Sequence, residues 1–566
     1  MLPRSVGRCA LLLLLVLAVA SVAATRRPAY APHAMIASAD SHATRAGLRI
    51  LEQGGNAVDA ACAVAMALGV TEGYSSGIGG GCFILLHMAD GREVAIDGRE
   101  VAPAKSSRLM FVPKKSGDRT DLSLYSPLAA GVPGEVAAFD LAVRDYGTMP
   151  FAELLEPARA LADTGFTVDD YYASVITAYA KELSADPGSR SVYFDAQGKP
   201  LASGARLIQS DLAATFARMQ ADGARDFYAG ETARRIAEFM RGNGGIISPA
   251  DLASYTPLAL EPVRGNYRGY DVISMPPPSS GGIHLIQILN LLEDFPLNYL
   301  GAGSSESLHL LAECMNLAFA DRVEFLGDPA FTPVPTAALT HKAYADTLRK
   351  KISRTRHLSE PEPGDPWEFL SHIDHHTTHF CVVDEMGNAA SVTATVNTPF
   401  ATCITVPGTG ILLNNEMDDF VTEPGKPNFF GLVGKAVNEI EPGKKPLSSM
   451  SPTILLRDGR PYLLVGGAGG PRIITASVLA IVNAVDYGMN IQAAIDYPRL
   501  HQQWKPNRVF IEPDFPVDVR IGLEQRGHTV EVGSPRSRVQ ALQADTLRGG
   551  WFGAADSRGI GAAMGH

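Results

Sequence analysis

Apolar and polar positions in the first half of the chain alternate in short blocks. Ala43 to Gln53 and Ala57 to Leu68 read as helices joined by Gly54-Gly55-Asn56. A glycine-rich turn, Ser75-Ser76-Gly77-Ile78-Gly79-Gly80-Gly81, then feeds the apolar run Cys82 to His87, which reads as a strand. This alternation of helices and buried strands continues to about residue 350, with Pro276-Pro277-Pro278-Ser279-Ser280-Gly281-Gly282 capping a helix from Ile283. Ser353 to Pro366 is rich in proline and charge, which predicts an exposed stretch with little regular structure. Beyond it the pattern changes to β-hairpins, followed by a helix from Ile473 to Tyr487. The whole is mixed α and β with a seam near residue 370.

At the seam, the run His376-Thr377-Thr378-His379-Phe380-Cys381-Val382-Val383-Asp384 starts a strand. Asp384 to Asn388 is a turn carrying Gly387-Asn388, and Ala389 to Asn397 is the returning strand. With the turn centred near Met386, antiparallel pairing sets Thr377 opposite Thr395. Side chains alternate, so Ser391, Thr393, Thr395 and Asn397 share one face, and Val392, Ala394 and Val396 the other. A hydroxyl and an amide then stand beside Thr377, an arrangement that a one-residue slip would undo.

Length and composition narrow the class. The chain has 566 residues, 46% hydrophobic and 19% charged, enough for a large core arranged as two domains or one interlaced unit. A formal net charge of -11 argues against nucleic acid and anionic membrane as partners. Arg4 and Arg8 precede a short apolar run from Ala10 to Ala20, and small residues follow at Ser21, Ala23 and Ala24. Residues 1–24 therefore read as a secretory signal, too short in its apolar part for a comfortable membrane span. Cys9 falls within that signal. Cys62, Cys82, Cys314, Cys381 and Cys403 remain, an odd and scattered set without a C-x-x-C, so no disulfide framework is expected. Asn397-Thr398 is followed by Pro399, and no Asn-x-Ser/Thr acceptor occurs elsewhere. The expectation is a periplasmic or secreted bacterial protein.

The two glycine-rich turns do not read as nucleotide sites. A phosphate loop needs Gly-Lys-Ser/Thr opening a helix, and a dinucleotide fingerprint needs strand, glycines, then helix. The first turn leads into a strand and the second has no lysine, so both read as tight turns. His372, His375, His376 and His379 have a spacing that would suit zinc on a helix, but Thr377 to Phe380 reads as strand, so no metal is expected there.

What gives Thr377 meaning is its company. Asn414-Asn415-Glu416-Met417-Asp418-Asp419-Phe420 follows the apolar Ile411-Leu412-Leu413. Then come Pro446-Leu447-Ser448-Ser449-Met450-Ser451-Pro452-Thr453 and Val465-Gly466-Gly467-Ala468-Gly469-Gly470-Pro471-Arg472, the latter opening a helix whose free N–H groups suit an oxyanion hole. Together with Gly54 to Ala61, Ser75 to Gly81, Arg99-Glu100-Val101-Ala102-Pro103-Ala104, Gly131-Val132-Pro133-Gly134 and Pro276 to Gly282, these motifs occur in the order found in γ-glutamyltransferase precursors. From about Pro32 onward the chain resembles that family.

The resemblance implies an α+β fold, a four-layer αββα sandwich of the N-terminal-nucleophile hydrolase type. A large subunit, residues 25–376, and a small catalytic subunit, residues 377–566, would form it jointly after one precursor is cut between His376 and Thr377. Thr377 would be the nucleophile and Thr395 would support its hydroxyl. Gly469 and Gly470 would form the oxyanion hole. Arg99, Ser448 and Ser449 would hold the glutamyl α-carboxylate, and Asn397, Glu416 and Asp419 its α-ammonium. A guanidinium with hydroxyls on one side and carboxylates on the other suits a carbon that bears an anion and a cation.

Maturation would proceed by attack of the Thr377 hydroxyl on the His376 carbonyl, with water releasing the new terminus. The freed α-amine, with a typical pKa of about 7.7 to 8.0, can then serve as the nucleophile's own base. The implied partners are a γ-glutamyl substrate such as glutathione and water, an amino acid or a dipeptide as acceptor. No cofactor, no nucleic acid and, after signal removal, no membrane is implied. The chain departs from its relatives at Asp374-His375-His376 before the nucleophile. It also departs at Phe430, in a lid-like segment Pro424 to Lys435 where tyrosine is frequent, and at Cys381 and Thr398-Pro399. Two other readings remain at this point: a related acylase of glutaryl or cephalosporin type, and an exported binding protein that never matures.

Overall fold

The computed structural model describes residues 26–115, 119–367, 379–423, 425–534 and 537–566. The expected signal, the pair His376-Thr377, and His372 and His375 lie outside the described residues.

The helix at Ala57–Thr71 illustrates how local sequence sets an element. Asn56 accepts from the N–H groups of Val58 and Asp59, and the Asp59 carboxylate accepts in return from the Asn56 N–H, a capping box. Its sequence, AVDAACAVAMALGVT, is apolar on every side because every side is covered. The preceding helix, Ser41–Glu52, packs on it through Gly47, where a Cβ would come within 2.5 Å of Val64. Both helices begin at or near the expected positions, the first starting earlier because Asp40 caps it.

Two seven-stranded sheets, each antiparallel throughout, lie face to face. The first runs in the order Ala29–Ala31, Trp551–Ala555, Arg538–Ala544, Arg460–Ala468, Thr453–Arg457, Tyr270–Ser274, Val263–Tyr267. The second runs Ala562–Gly565, Met35–Ser38, Phe380–Val383, Ala389–Thr395, Gly81–His87, Glu93–Gly98, Leu258–Leu260. Phe83, Leu85, Cys381, Val383, Ile454, Leu464 and Leu542 fill the space between the sheets. Ile84, Leu86, Phe380, Val382, Val392 and Ala394 point the other way, into Ser41–Glu52 and Ala57–Thr71. That is why Gly81–His87 is an unbroken apolar run: both of its faces are buried.

Gly281–Leu292 and Arg472–Val485 cover the outer face of the first sheet, with Ser305–Phe325 packed on the former. The result is the αββα sandwich. Each sheet takes strands from both sides of residue 377, so the chain is one interlaced unit.

One boundary needs amendment: the helix assigned to Ile473–Tyr487 spans Arg472–Val485. Ser353 to Pro366 forms no helix or strand and is mostly exposed or half-buried, as its composition predicts, and tertiary hydrogen bonds pin it. The His357 N–H donates to the Arg526 carbonyl at 2.7 Å, the Gly364 N–H to Asp321 Oδ1 at 2.7 Å, and the Pro361 carbonyl accepts from Trp504 Nε1 at 3.1 Å. Its polar composition blocks regular pairing but not tertiary hydrogen bonding, which local reasoning does not see. All five cysteines among the described residues are buried and unpaired.

Candidate active site

The hairpin at the seam has the expected register. Phe380 pairs with Val392, Cys381 with Ser391, Val382 with Ala390 and Val383 with Ala389, so the pairing is centred on residue 386. Asp384 makes the turn: its carboxylate accepts from the Met386 and Asn388 N–H groups and from that of Ala57, tying the turn to the capped helix. The pair Thr377–Thr395 lies outside the described residues on one side. Thr395 itself is buried, and its Oγ1 accepts from the Asn397 N–H at 2.8 Å. Asn397 takes φ 82°, and its side-chain Nδ2 donates to the Asn415 carbonyl at 2.9 Å. Gly80 presses on this strand so closely that a Cβ there would lie 1.9 Å from the Thr395 carbonyl oxygen. The glycines at 79–81 therefore serve backbone approach rather than phosphate binding.

Arg99, at the end of the strand Glu93–Gly98, is fully buried. Its guanidinium pairs with Glu416 Oε1 and, at 2.8 Å, with Asp419 Oδ2. Its Nε donates to the Pro446 carbonyl at 3.3 Å. The Arg99 backbone N–H donates to Asp97 Oδ1 at 2.8 Å, and Asp97 Oδ2 accepts from Lys445 Nζ at 2.6 Å. Three sequence motifs, around residues 99, 416 and 446, thus meet on one guanidinium. Neither a surface pair of Arg99 with Glu100 nor a solvated turn at Asp418-Asp419 describes the structure, since both sites are enclosed.

Asn414 organises the surroundings. Its Oδ1 accepts from the N–H groups of Gly131 and Glu416, and its Nδ2 donates to the carbonyls of Gly79 and Gly131. One amide thereby joins the glycine turn at 75–81 and Gly131 to the short 3-10 turn Glu416–Asp419. Asp418 accepts from Ser123 Oγ at 2.7 Å and from the Phe429 N–H at 3.0 Å, which anchors the segment 425–435.

Ser448 is held through its backbone. Its carbonyl accepts from Ser280 Oγ at 2.7 Å and from the Arg322 guanidinium at 3.4 Å, and its N–H donates to Pro278. The turn at 276–282 is therefore a clamp on Ser448. Among the described residues of the site, four buried atoms have no hydrogen-bond partner: Ser448 Oγ, Glu416 Oε2 and both carboxylate oxygens of Glu100. Ser449 is buried next to Ser448. Sequence reasoning missed Arg322, Asn414 and Ser280 as organisers. Arg322 sits inside the helix Ser305–Phe325 with no motif to mark it.

Gly469 and Gly470 follow the strand Arg460–Ala468 and open the helix Arg472–Val485 with φ of 133° and 59°. The Phe430 ring lies against Gly470, where a Cβ would fall 2.5 Å from Phe430 Cδ1. The segment 425–435 thus reaches back to Gly470. His379 is buried in the same region, near Thr393 Oγ1 at 3.3 Å and Cys381 Sγ at 2.9 Å. Burial pushes its imidazole down to about 3, so it is neutral.

The charges are strongly coupled. Burial pushes Glu416 well above the usual carboxylate range; Arg99 opposes this, while Glu100 and Asp419 add to it. Glu100 rises to about 7, again through burial. Arg99 stays protonated, because Glu416, Glu100 and Asp419 outweigh the burial that disfavours its charge. Three carboxyls around one guanidinium leave room for an added cation.

The chain matches the family profile described as Gamma-glutamyltranspeptidase over residues 43–566. It is 44% identical over 535 residues to the glutathione hydrolase proenzyme of Escherichia coli (strain K12), covering 94% of this chain and 92% of that protein. It is 40% identical over 531 residues to the acylase ACY 1 proenzyme of Pseudomonas sp. (strain SE83), covering 92% and 90% respectively. The crystal structure of cephalosporin acylase from Bacillus halodurans superposes with a TM-score of 0.86 at 29% identity, over 96% of this chain and 98% of that one. Among the described residues no helix is long and apolar enough to cross a membrane.

Proposed function

The chain belongs to the gamma-glutamyltranspeptidase family of N-terminal-nucleophile hydrolases, and from that premise we propose that it is a self-processing γ-glutamyl hydrolase and transferase acting on glutathione-type amides. In this reading the precursor is cut between His376 and Thr377. Thr377 then attacks the γ-amide carbonyl with its own α-amine as base, while Thr395 orients its hydroxyl. Gly469 and Gly470 stabilise the oxyanion. The resulting ester passes its acyl group to water, an amino acid or a dipeptide. The large piece would be residues 25–376 and the small piece 377–566, after loss of residues 1–24 on export to the periplasm or medium.

The observation that carries the substrate reading is the enclosed set Arg99, Glu416 and Asp419, with the buried Ser448 Oγ and Glu416 Oε2 lacking a hydrogen-bond partner. Ser448 Oγ suits a carboxylate oxygen and Glu416 Oε2 suits an ammonium hydrogen; Arg99, Ser449, Asn397 and Asp419 complete the two halves. A substrate carrying both charges on one carbon would exchange the internal ion pairs for its own.

Similarity to proteins named acylases makes the acylase reading the competitor. It is disfavoured by the same carboxylates, since a glutaryl chain brings no cation to Glu416 and Asp419.

A denaturing gel with N-terminal sequencing of the purified protein tests the maturation step. Two pieces, the smaller beginning at Thr377, are expected, and a whole chain for Thr377→Ala. Cutting of that variant at the same bond, without added protease, overturns the mechanism.

A further inference from the structure

Outside the candidate active site, one cluster of potential ligands has no role in the chemistry above. His309 and Glu313 lie one turn apart on the helix Ser305–Phe325, so they share a face. That face meets His528, which follows the helix Val517–Gln525, and His357 of the pinned segment. His309, Glu313 and His528 are buried, and their ligand atoms all lie within 4.8 Å of one another.

The hydrogen bonds around the cluster fix which atoms face inward. A carbonyl can only accept, so the 2.6 Å contact from His309 Nε2 to the Ser353 carbonyl requires that Nε2 carry hydrogen. In the neutral imidazole the lone pair then sits on Nδ1, 2.7 Å from His528 Nε2. His528 Nε2 is 3.8 Å from Glu313 Oε1. The other Glu313 oxygen accepts from the Leu358 N–H at 3.0 Å, and Oε1 also meets His357 Nδ1 at 2.7 Å. His528 Nδ1, though buried, has no hydrogen-bond partner. Metal-binding histidines commonly donate their outer N–H to a backbone carbonyl, and metal-binding carboxylates are held by further donors. His309 and Glu313 have those supports in place.

We propose that His309 Nδ1, Glu313 Oε1 and His528 Nε2 form a binding site for a divalent transition ion, zinc being the best match. Two imidazoles and a carboxylate are a zinc donor set, with a fourth position for water or the adjacent His357. Zn–N bonds of about 2.0–2.1 Å at a tetrahedral angle put the two nitrogens roughly 3.3 Å apart. The present 2.7 Å pair must therefore open by only about 0.6 Å. On binding, the His528 proton moves by exchange from Nε2 to Nδ1, which has no other hydrogen-bond partner, so the ring stays neutral, its Nε2 lone pair takes the ion, and no net proton is released.

The site has a structural consequence that rests on the maturation reading. His309, Glu313 and His357 precede the proposed cut and His528 follows it, so the ion would clip the two pieces together and hold the end of the large one.

The test is metal binding, read independently of activity. Full-length protein is stripped with a chelator, checked by elemental analysis, then titrated with zinc by calorimetry and with cobalt by visible absorption. One equivalent, a tetrahedral cobalt spectrum and a raised Tm are expected. Glu313→Gln and His528→Gln should each weaken zinc by more than the roughly 10- to 100-fold that supporting partners carry. Two variants guard against one failing to fold, which circular dichroism checks. The uncut Thr377→Ala precursor should bind the same single equivalent, so failure of self-cleavage leaves this result intact. Zinc binding that is equal in wild type and both folded variants, or substoichiometric in wild type, overturns the proposal.

Discussion

Gly470→Ala probes the proposed oxyanion hole and its lid together. At φ 59° an alanine pays about 1–2 kcal/mol for the left-handed conformation. Its Cβ would meet Phe430 at 2.5, 2.8 and 3.0 Å from Cδ1, Cε1 and Cγ. Ordinary carbon contacts are about 3.5–4.0 Å, so ring or glycine must retreat by about 1 Å. The ring is not free to swing away. Asn428 Oδ1 accepts from the N–H groups of Phe430 and Leu432 at 3.1 Å, and Asp418 holds the neighbouring Phe429. Part of the displacement therefore falls on the Gly469–Gly470 turn. Misplacing one oxyanion donor costs about 10²–10³-fold in kcat. The assay is release of nitroaniline from a γ-glutamyl anilide, normalised to the fraction of cut chain, because the same donors would serve self-cleavage. Gly470→Ala should lose kcat far more than KM. Adding Phe430→Ala removes the collision and should restore much of kcat, leaving only the backbone cost; such coupling is expected of contacting residues. Wild-type kcat in the single variant, or strictly additive losses in the double, refutes the argument.

Other outcomes follow from the charge cluster. Asp419→Asn should weaken γ-glutamyl substrates by about 2 to 5 kcal/mol in kcat/KM and glutaryl analogues by much less, since only the former bring an ammonium; equal losses count against the assignment. Because burial raises Glu416, binding of an ammonium-bearing ligand should release a proton from it, so affinity grows as pH rises towards that carboxyl's free value. Calorimetry in buffers of different ionisation enthalpy reads this, and net proton uptake contradicts it. Glu100 sits at about 7 in the folded chain against about 4.3 unfolded, so the folded state holds a proton that the unfolded chain has lost. Its contribution to stability is fully present below about 4.3 and lost as pH rises through about 7. Glu100→Gln should flatten denaturation midpoints across that window, and an unchanged slope argues against it.

Several features were legible in the residues alone because their causes are local. The capped helix at Ala57–Thr71, the strand after the glycine turn, and the hairpin register centred on residue 386 each follow from neighbours a few positions apart. The glycines at 469 and 470 were placed by motif order, and their positive φ values supply the physical reason that glycine stands there. The charged residues of the site could be named from the family resemblance, but not how they meet. Only folding brings Arg99 onto Glu416 and Asp419 as internal ion pairs, because the contacts span more than 300 positions of chain. Arg322 and Asn414 support the site through backbone atoms, which no residue pattern advertises. The stretch 353–366 reads as solvent-exposed from its composition, yet tertiary hydrogen bonds hold it. The cluster of His309, Glu313, His357 and His528 is likewise a product of packing: one helix turn supplies two members, and the distant segments that dock on it supply the rest. Periodicity and turn chemistry act over a few residues, whereas burial, charge pairing and ligand geometry depend on which surfaces the two sheets and their helices bring together.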